Sequence, residues 1–301
     1  MKTKKTFLTI TAIALIFSNA LVAQTKKPAP PKNGSGTQKN APASRPAPKQ
    51  NPNQNAKPKP NPNQNQKPNA KPNPNQSPKQ GAKQNPNPNA KQDLAARDAA
   101  NWDIKSLDTA RKVDYLSEIE KDVILEMNKA RTNPKKYAEL YLVPFAKKFR
   151  SDGTYMKNGV MMLTNEGVAV VNECIKEMVG TKPMGVLQPA KGLSLAAQGH
   201  ATTQAAAGQI GHDGVDGSTP FTRIEKYGTY RAAAENIAYG ANTGRDIVMQ
   251  LLIDDGVKNR GHRKTILASG YTHTGSGYAE GHKLFKTECV VTYAWRYEEN
   301  N

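Results

Sequence analysis

A layered α/β or α+β sandwich behind a long disordered tail is the fold class this sequence predicts, and three observations predict it. Residues 24–92 hold 13 Lys or Arg, no Asp or Glu and 16 of the chain's 21 prolines, with Asn and Gln filling most other positions. Such a stretch offers too little apolar surface to offset the backbone entropy of ordering, about 1–2 kcal/mol per residue. Helical periodicity then begins at Ser117 and recurs in several short runs. Finally, two stretches rich in β-branched and aromatic residues, 271–279 and 286–295, have the spacing of a hairpin. Helices before and around a late sheet imply packed layers.

The elements follow in chain order. Lys2, Lys4 and Lys5 precede an apolar run from Phe7 to Phe17, and small residues lead to Ala23. Residues 1–23 therefore read as a cleaved secretory signal peptide, since the run is shorter than the roughly 20 residues that span a bilayer. Residues 24–92 form the basic Pro/Asn/Gln/Lys-rich linker, in which Asn-Pro-Asn motifs recur from Asn51 to Asn89 without the apolar residues that would stack as a solenoid. A lead-in, 93–116, precedes the folded domain at 117–296, and residues 297–301 end the chain.

Within the domain, Ser117 and Glu120 have capping-box spacing ahead of Ile119, Val123, Ile124, Met127 and Ala130 on one face. Asn133-Pro134 starts a second helix. Thr164 opens a run ending at Gly180, and Leu193 to Ala207 is an Ala-rich buried helix. A glycine loop, Gly211 to Gly217, leads to a short helix at Thr219-Pro220. The segment 231–240 has no clear periodicity, Thr243 to Asp246 begins a helix ending near Asp254-Asp255-Gly256, and Gly261 to Leu267 forms another. The closing strands are expected to turn at Glu280-Gly281-His282.

The net charge of +18 belongs almost wholly to the tail, because residues 93 onward carry 27 Lys and Arg against 25 Asp and Glu. Specific nucleic-acid binding by the folded part therefore loses its main support. Cys174 and Cys289 either pair, as an exported compartment permits, or sit as two small buried hydrophobes.

Gly211-His212-Asp213-Gly214, Asp216-Gly217-Ser218, Arg223, Glu235-Asn236-Ile237-Ala238, Gly261-His262-Arg263 with Ile266-Leu267, and Gly275-Ser276-Gly277 occur in an order that resembles the bacterial branch of the CAP superfamily. That group comprises cysteine-rich secretory proteins, antigen 5 and pathogenesis-related proteins. Asn128 and Arg131 are similar too, and the resemblance covers roughly residues 117–296. It implies a three-layer α-β-α sandwich with a cleft carrying two histidines and two acids.

His212, Glu235 and His262 match that cleft, while Asp254 or Asp255 stands for the second acid and is one methylene shorter than Glu. Independently, two imidazoles and a carboxylate are ligands suited to zinc, with His212 and His262 as the candidate metal ligands. Glu235 is the candidate general base for a held water. Arg263 is expected either to meet an anionic ligand or to tie the loop to Asp254 or Asp255, and Arg223 to have a specific partner. His200 reads as a packed histidine, and His273 and His282 receive no role. No nucleophile motif of the G-x-S-x-G type is present.

Three functions fit: a secreted, extracellular or periplasmic binding module for a small molecule, lipid or peptide; a metal-assisted or general-base hydrolase; and an envelope protein acting on anionic polymers through residues 24–92. Association through that tail is electrostatic, so it weakens as salt rises. In pull-downs on anionic envelope polymer, residues 24–301 should bind at low salt and be released at high salt, whereas residues 93–301 should bind weakly at both. Equal retention of both chains removes the tail from the account.

Overall fold

A computed structural model describes residues 100–300 of the chain. The segments expected to be a signal peptide and a linker, and the first part of the lead-in, lie outside the described residues.

The helices and strands in order are α1 (Ile104–Leu107), α2 (Glu118–Thr132), α3 (Pro134–Tyr137) continuing through a π-helical turn at Ala138–Leu142 into α4 (Val143–Ala146), β1 (Tyr155–Lys157), β2 (Val160–Met162), α5 (Val168–Gly180), β3 (Gln188–Pro189), α6 (Lys191–Ala207), α7 (Pro220–Glu225), β4 (Gly228–Thr229), β5 (Ala232–Tyr239), α8 (Gly244–Ile253), α9 (Gly261–Ile266), β6 (His273–His282), β7 (Lys286–Trp295) and β8 (Glu298–Glu299). The central sheet runs β3-β6-β7-β5, antiparallel except for the β3–β6 pair. Strand β5 is thus an edge.

Strand alternation sorts the two faces of this sheet. Cys289, Val291 and Tyr293 of β7, with Ala234 and Ala238 of β5, belong to the larger core, which also takes Val123, Ile124 and Met127 of α2 and Ile247, Val248, Leu251 and Leu252 of α8. Val290, Thr292 and Ala294 turn to the other face, beneath α6. One helix covers that face because the backbones come very close. A Cβ added to Gly275 would lie 2.2 Å from Leu193 C and Ser194 N, and one on Gly277 would lie 2.3 Å from Gln198 N. Ala196, Ala197 and Ala201 keep the facing side of α6 equally thin, and Thr292 Oγ1 donates to Leu193 O at 3.0 Å. The result is a three-layer α-β-α sandwich.

Capping explains where several helices start. Glu120 reaches back to Ser117 N at 2.7 Å while its other oxygen accepts from Tyr278 N at 2.8 Å, pinning α2 to the sheet. Asn133 caps α3 through Lys136 N, and Thr243 caps α8 through Asp246 N. Asn128 Nδ2 donates to Leu107 O and its Oδ1 accepts from Leu187 N. Arg131, 1 % exposed, donates to the carbonyls of Gly185, Ile266, Ala268 and Tyr271, so one guanidinium holds the loop before β3 and the one before β6. With no carboxylate beside it, burial pulls its pKa down to about 10.

Two expectations need correction, and two open readings are decided. Within segment 231–240, Ala232–Tyr239 is an edge strand, whose run of alanines hid the β pattern. The hairpin turn lies at Lys283-Leu284-Phe285, because β6 extends through His282. Helix α5 starts after Gly167 rather than at Thr164, which instead accepts from Gly167 N. Cys174 and Cys289 are free and buried. Cys174 Sγ donates to Leu252 O, Cys289 Sγ faces Ser276 Oγ at 3.7 Å, and burial pushes each thiol up to about 12.

Gly275→Ala and Gly277→Ala should each cost about 1–3 kcal/mol in chemical denaturation, since helix backbone cannot move aside as a flexible side chain does. Gly270→Ala, with nothing within 4 Å of the added carbon, should stay within about 0.5 kcal/mol.

Candidate functional site

Register places Glu235 opposite Thr292, Ile237 opposite Val290 and Tyr239 opposite Glu288, so Glu235 and Glu288 share the sheet face that α6 covers. Glu235 is fully buried. An ionised carboxylate there requires compensation, and it has two partners. Arg223 Nη2 donates to Oε1 at 3.0 Å and Oε2 at 2.9 Å, and His212 Nδ1 donates to Oε1 at 2.9 Å. The same guanidinium donates to His212 O and Ser218 O, both at 3.0 Å, so it also ties down the glycine loop. Thr219 caps α7 through Thr222 N, which sets Arg223 facing the strand.

A second pair forms beside the opposite face of β5. Asp254, left-handed at φ +61° at the end of α8, accepts from His262 Nδ1 at 2.6 Å. Its other oxygen accepts from the backbone N of His262 and Arg263. His262 Nε2 is buried with no hydrogen-bond partner. Asn236, the residue after Glu235, donates to His262 O at 3.2 Å, so neighbouring positions of one edge strand anchor the two histidine-carboxylate pairs. Asp255 does not join them; it accepts from the backbone N of Asn165 and Glu166.

Arg263 also departs from the expected position. Fully buried, it pairs with Glu173 at 2.9 Å and Glu177 at 2.6 Å on α5 and donates to Leu252 O and Ile253 O. Its side chain therefore ties α9 to α5 rather than to Asp254 or Asp255. The partner expected for Arg223 is Glu235.

His200 is the packed histidine expected, and around it lie polar groups for which the sequence analysis had no role. His200 donates from Nε2 to Gly211 O at 3.0 Å, its Nδ1 is buried without a partner, and burial lowers its pKa. Tyr239 OH accepts from Gly211 N. His282 donates from Nε2 to Gln209 O at 2.9 Å and accepts from the backbone N of Leu284 and Phe285 at Nδ1. Its single N–H is thus taken. Glu288, fully buried, has His282 Nε2 3.7 Å away and no hydrogen-bond partner on either oxygen. Desolvation first, and the Glu235 charge second, push this carboxyl up to about 8. Alternation would have found it, because Glu288 is in phase with Val290 and Thr292, but that phase is readable only once one face is known to be covered.

A catalytic zinc site would draw on these donors. Such a site takes three protein ligands converging on the ion, and among the described residues no group of three His, Cys, Asp or Glu could hold a metal. Both oxygens of Glu235 and both of Asp254 accept hydrogen bonds, which hold each carboxylate against its histidine.

The Glu288 carboxyl carries a pH signature. Its pKa rises from 4.5 in the unfolded chain to about 8 on folding. Between those values the folded state binds more protons at this group than the unfolded one, so its contribution to stability is full below 4.5 and is lost as pH rises toward 8, at up to about 1.4 kcal/mol per pH unit. Urea midpoints from pH 5 to pH 9 should decline for the wild type and be flatter for Glu288→Gln. Parallel curves would show that Glu288 does not titrate as a buried acid.

Uncharacterized protein YkwD of Bacillus subtilis (strain 168) is 28% identical to this chain over 116 residues, 38% of this chain and 42% of that protein. The chain therefore matches less than half the length of that relative. An extracellular protein containing a SCP domain from Bacillus anthracis str. Ames aligns with 17% identity over 43% of this chain and 38% of its own, at a TM-score of 0.32. An outer surface protein from Borrelia burgdorferi aligns with 20% identity over 38% of this chain and 80% of its own, also at 0.32. The family assignment rests instead on residues 126–293, over half of the chain, which match the family model described as CAP, the cysteine-rich secretory protein family. From Asn128 and Arg131 at the start of that span to the Glu235 strand and the Gly275-Gly277 contact, the sandwich is that of a chain belonging to the CAP family.

Proposed function

We propose that this chain is an exported CAP-type binding module, in which the His212 loop on β5 receives a small molecule, lipid or peptide and no bond is broken. Its supporting observation is the engagement of both acids. Glu235 is fully buried, and His212 and Arg223 take three of the roughly four acceptor positions of its carboxylate, so water reaches it only if the surrounding residues open. Asp254 is likewise held by His262 Nδ1 and two backbone N–H groups. A general base needs an accepting oxygen within reach of its substrate proton. Fold membership does not supply one.

Access favours the same surface. The His212 side chain is 11% exposed, whereas Glu235, Asp254 and His262 are at 0%, 1% and 5%. A ligand approaching the pairs meets His212 and the loop around it before any carboxylate. Residues 1–23 supply export in this reading, and among the described residues no helix is long and apolar enough to cross a membrane. The hydrolase and the tail-driven envelope protein are the alternatives that the tests address.

Incubation with secreted peptides, glycans and lipids should yield bound ligand and no product that grows with time, and His212→Ala should lose the ligand while staying folded. Product made by the wild type and lost by about 10²-fold or more in Glu235→Gln would make the chain a general-base hydrolase. Zinc should leave the melting temperature unchanged. A zinc-dependent gain near 2.7 kcal/mol at a hundredfold excess over Kd, absent from His212→Ala/His262→Ala, would restore the metal reading.

A further inference from the structure

The hairpin β1–β2 lies outside the central sheet and pairs with none of its strands. Asn158 and Gly159 turn it, both at positive φ (+51° and +78°), which suits a tight two-residue connection. Its register sets Tyr155 opposite Met162, Met156 opposite Met161 and Lys157 opposite Val160. Tyr155 packs on Phe145 and Phe149, with ring centroids 5.0 and 5.1 Å away, and this accounts for one face. Met156 and Met161 point to the other, and Leu163 continues in phase with them.

That second face is open. On it Met156 is 39% exposed and Leu163 53%, while Val160, opposite Lys157 on the Tyr155 face, is 50% exposed beside the turn. They are three of the nine large hydrophobics exposed among the described residues, gathered within eight positions. Scattered apolar side chains need no explanation, but a cluster at a projecting tip does.

Charge surrounds the cluster on one side. Lys147, Lys148 and Arg150 are exposed, and Arg150 N donates to Thr154 O at 2.7 Å, which fixes this basic run against the base of the hairpin. Arg150 Nη1 lies 4.0 Å from Met161 Sδ, at the border of the apolar face. Asp152, the only acid between 143 and 163, is occupied by Thr154 N and Oγ1.

Apolar residues at a tip with cations behind them match the layering of a lipid surface, with hydrocarbon beyond anionic headgroups. The side chains are unbranched Met or small Val and Leu, which enter acyl chains without a shaped partner. One weak attachment does not hold a protein to a bilayer, whereas two do. The tail, with 13 basic residues and no acidic ones, supplies the second. We propose that the β1–β2 hairpin docks the protein on an anionic lipid bilayer, inserting Val160, Met156 and Leu163 while Lys147, Lys148 and Arg150 meet the headgroups. This is independent of the His212 reading.

Co-sedimentation of residues 24–301 with vesicles of phosphatidylglycerol and phosphatidylcholine tests it, with pure phosphatidylcholine vesicles as the neutral arm. The wild type should partition onto the anionic vesicles, and a fraction should stay bound at a salt concentration that abolishes tail-driven attraction. Met156→Ser/Val160→Ser/Leu163→Ser should lower partitioning about tenfold with an unchanged melting temperature, and Lys147→Glu/Lys148→Glu/Arg150→Glu should lower it while weakening the salt dependence. Glycerol phosphate should not compete, because a surface and not a free phosphate is recognised. Should the serine variant unfold, Val160→Trp provides the readout, its emission moving to the blue on anionic vesicles. The proposal is overturned by a wild type that stays in solution, by a folded serine variant that partitions equally, by an unshifted tryptophan, or by a hairpin that mediates self-association instead.

Discussion

The contact between helix α6 and the sheet at Gly275 and Gly277 is the constraint on which the rest of the site depends. Backbone rests almost on backbone there, so no side chain other than hydrogen fits. Because the helix is so close, water is excluded from the strand face beneath it, and every polar group on that face must find a partner inside the protein. Thr292 finds Leu193 O, and Glu235 finds Arg223 and His212. The glycine loop and helix α7 are held where they are because they carry those partners.

Two carboxylates on this one face show how much the partners matter. Glu235 receives a guanidinium and an imidazole N–H. Glu288 receives neither, since the only nearby N–H of His282 is taken by Gln209 O. Its carboxyl is accordingly pushed up to about 8, an acid held in its neutral form by desolvation. A polar cluster can therefore look like an array of ionised ligands in sequence and yet contain one charge that is neutralised and another that is suppressed.

On the opposite face of the sheet the same accounting is made with backbone carbonyls. Arg131 satisfies four of them and Arg263 two, the latter also joining the glutamates of α5. These arginines hold loops rather than ligands, and their depth explains why. A guanidinium presents five donors in a fixed fork, so a single buried side chain can close several loop ends at once.

Local features were legible in the sequence by itself. Capping residues at Ser117, Asn133, Thr219 and Thr243 marked helix starts because a cap is a contact between residues three apart. The order of glycine, histidine and Glu-Asn motifs pointed to the family and to the three-layer sandwich. Tertiary structure decided what those residues do, because that depends on contacts tens of positions away. It made 232–239 a strand, since its alanines acquire a β identity only against β7. It chose Asp254 over Asp255 as the partner of His262, because the left-handed turn at Asp254 aims one carboxylate inward and the next toward the loop before α5. It sent Arg263 to α5, left the two cysteines apart, and placed Glu288 beneath α6. In each case the energy of a charge or a thiol is set by what burial removes and what the nearest partner returns, and neither quantity is written in the neighbouring residues of the chain.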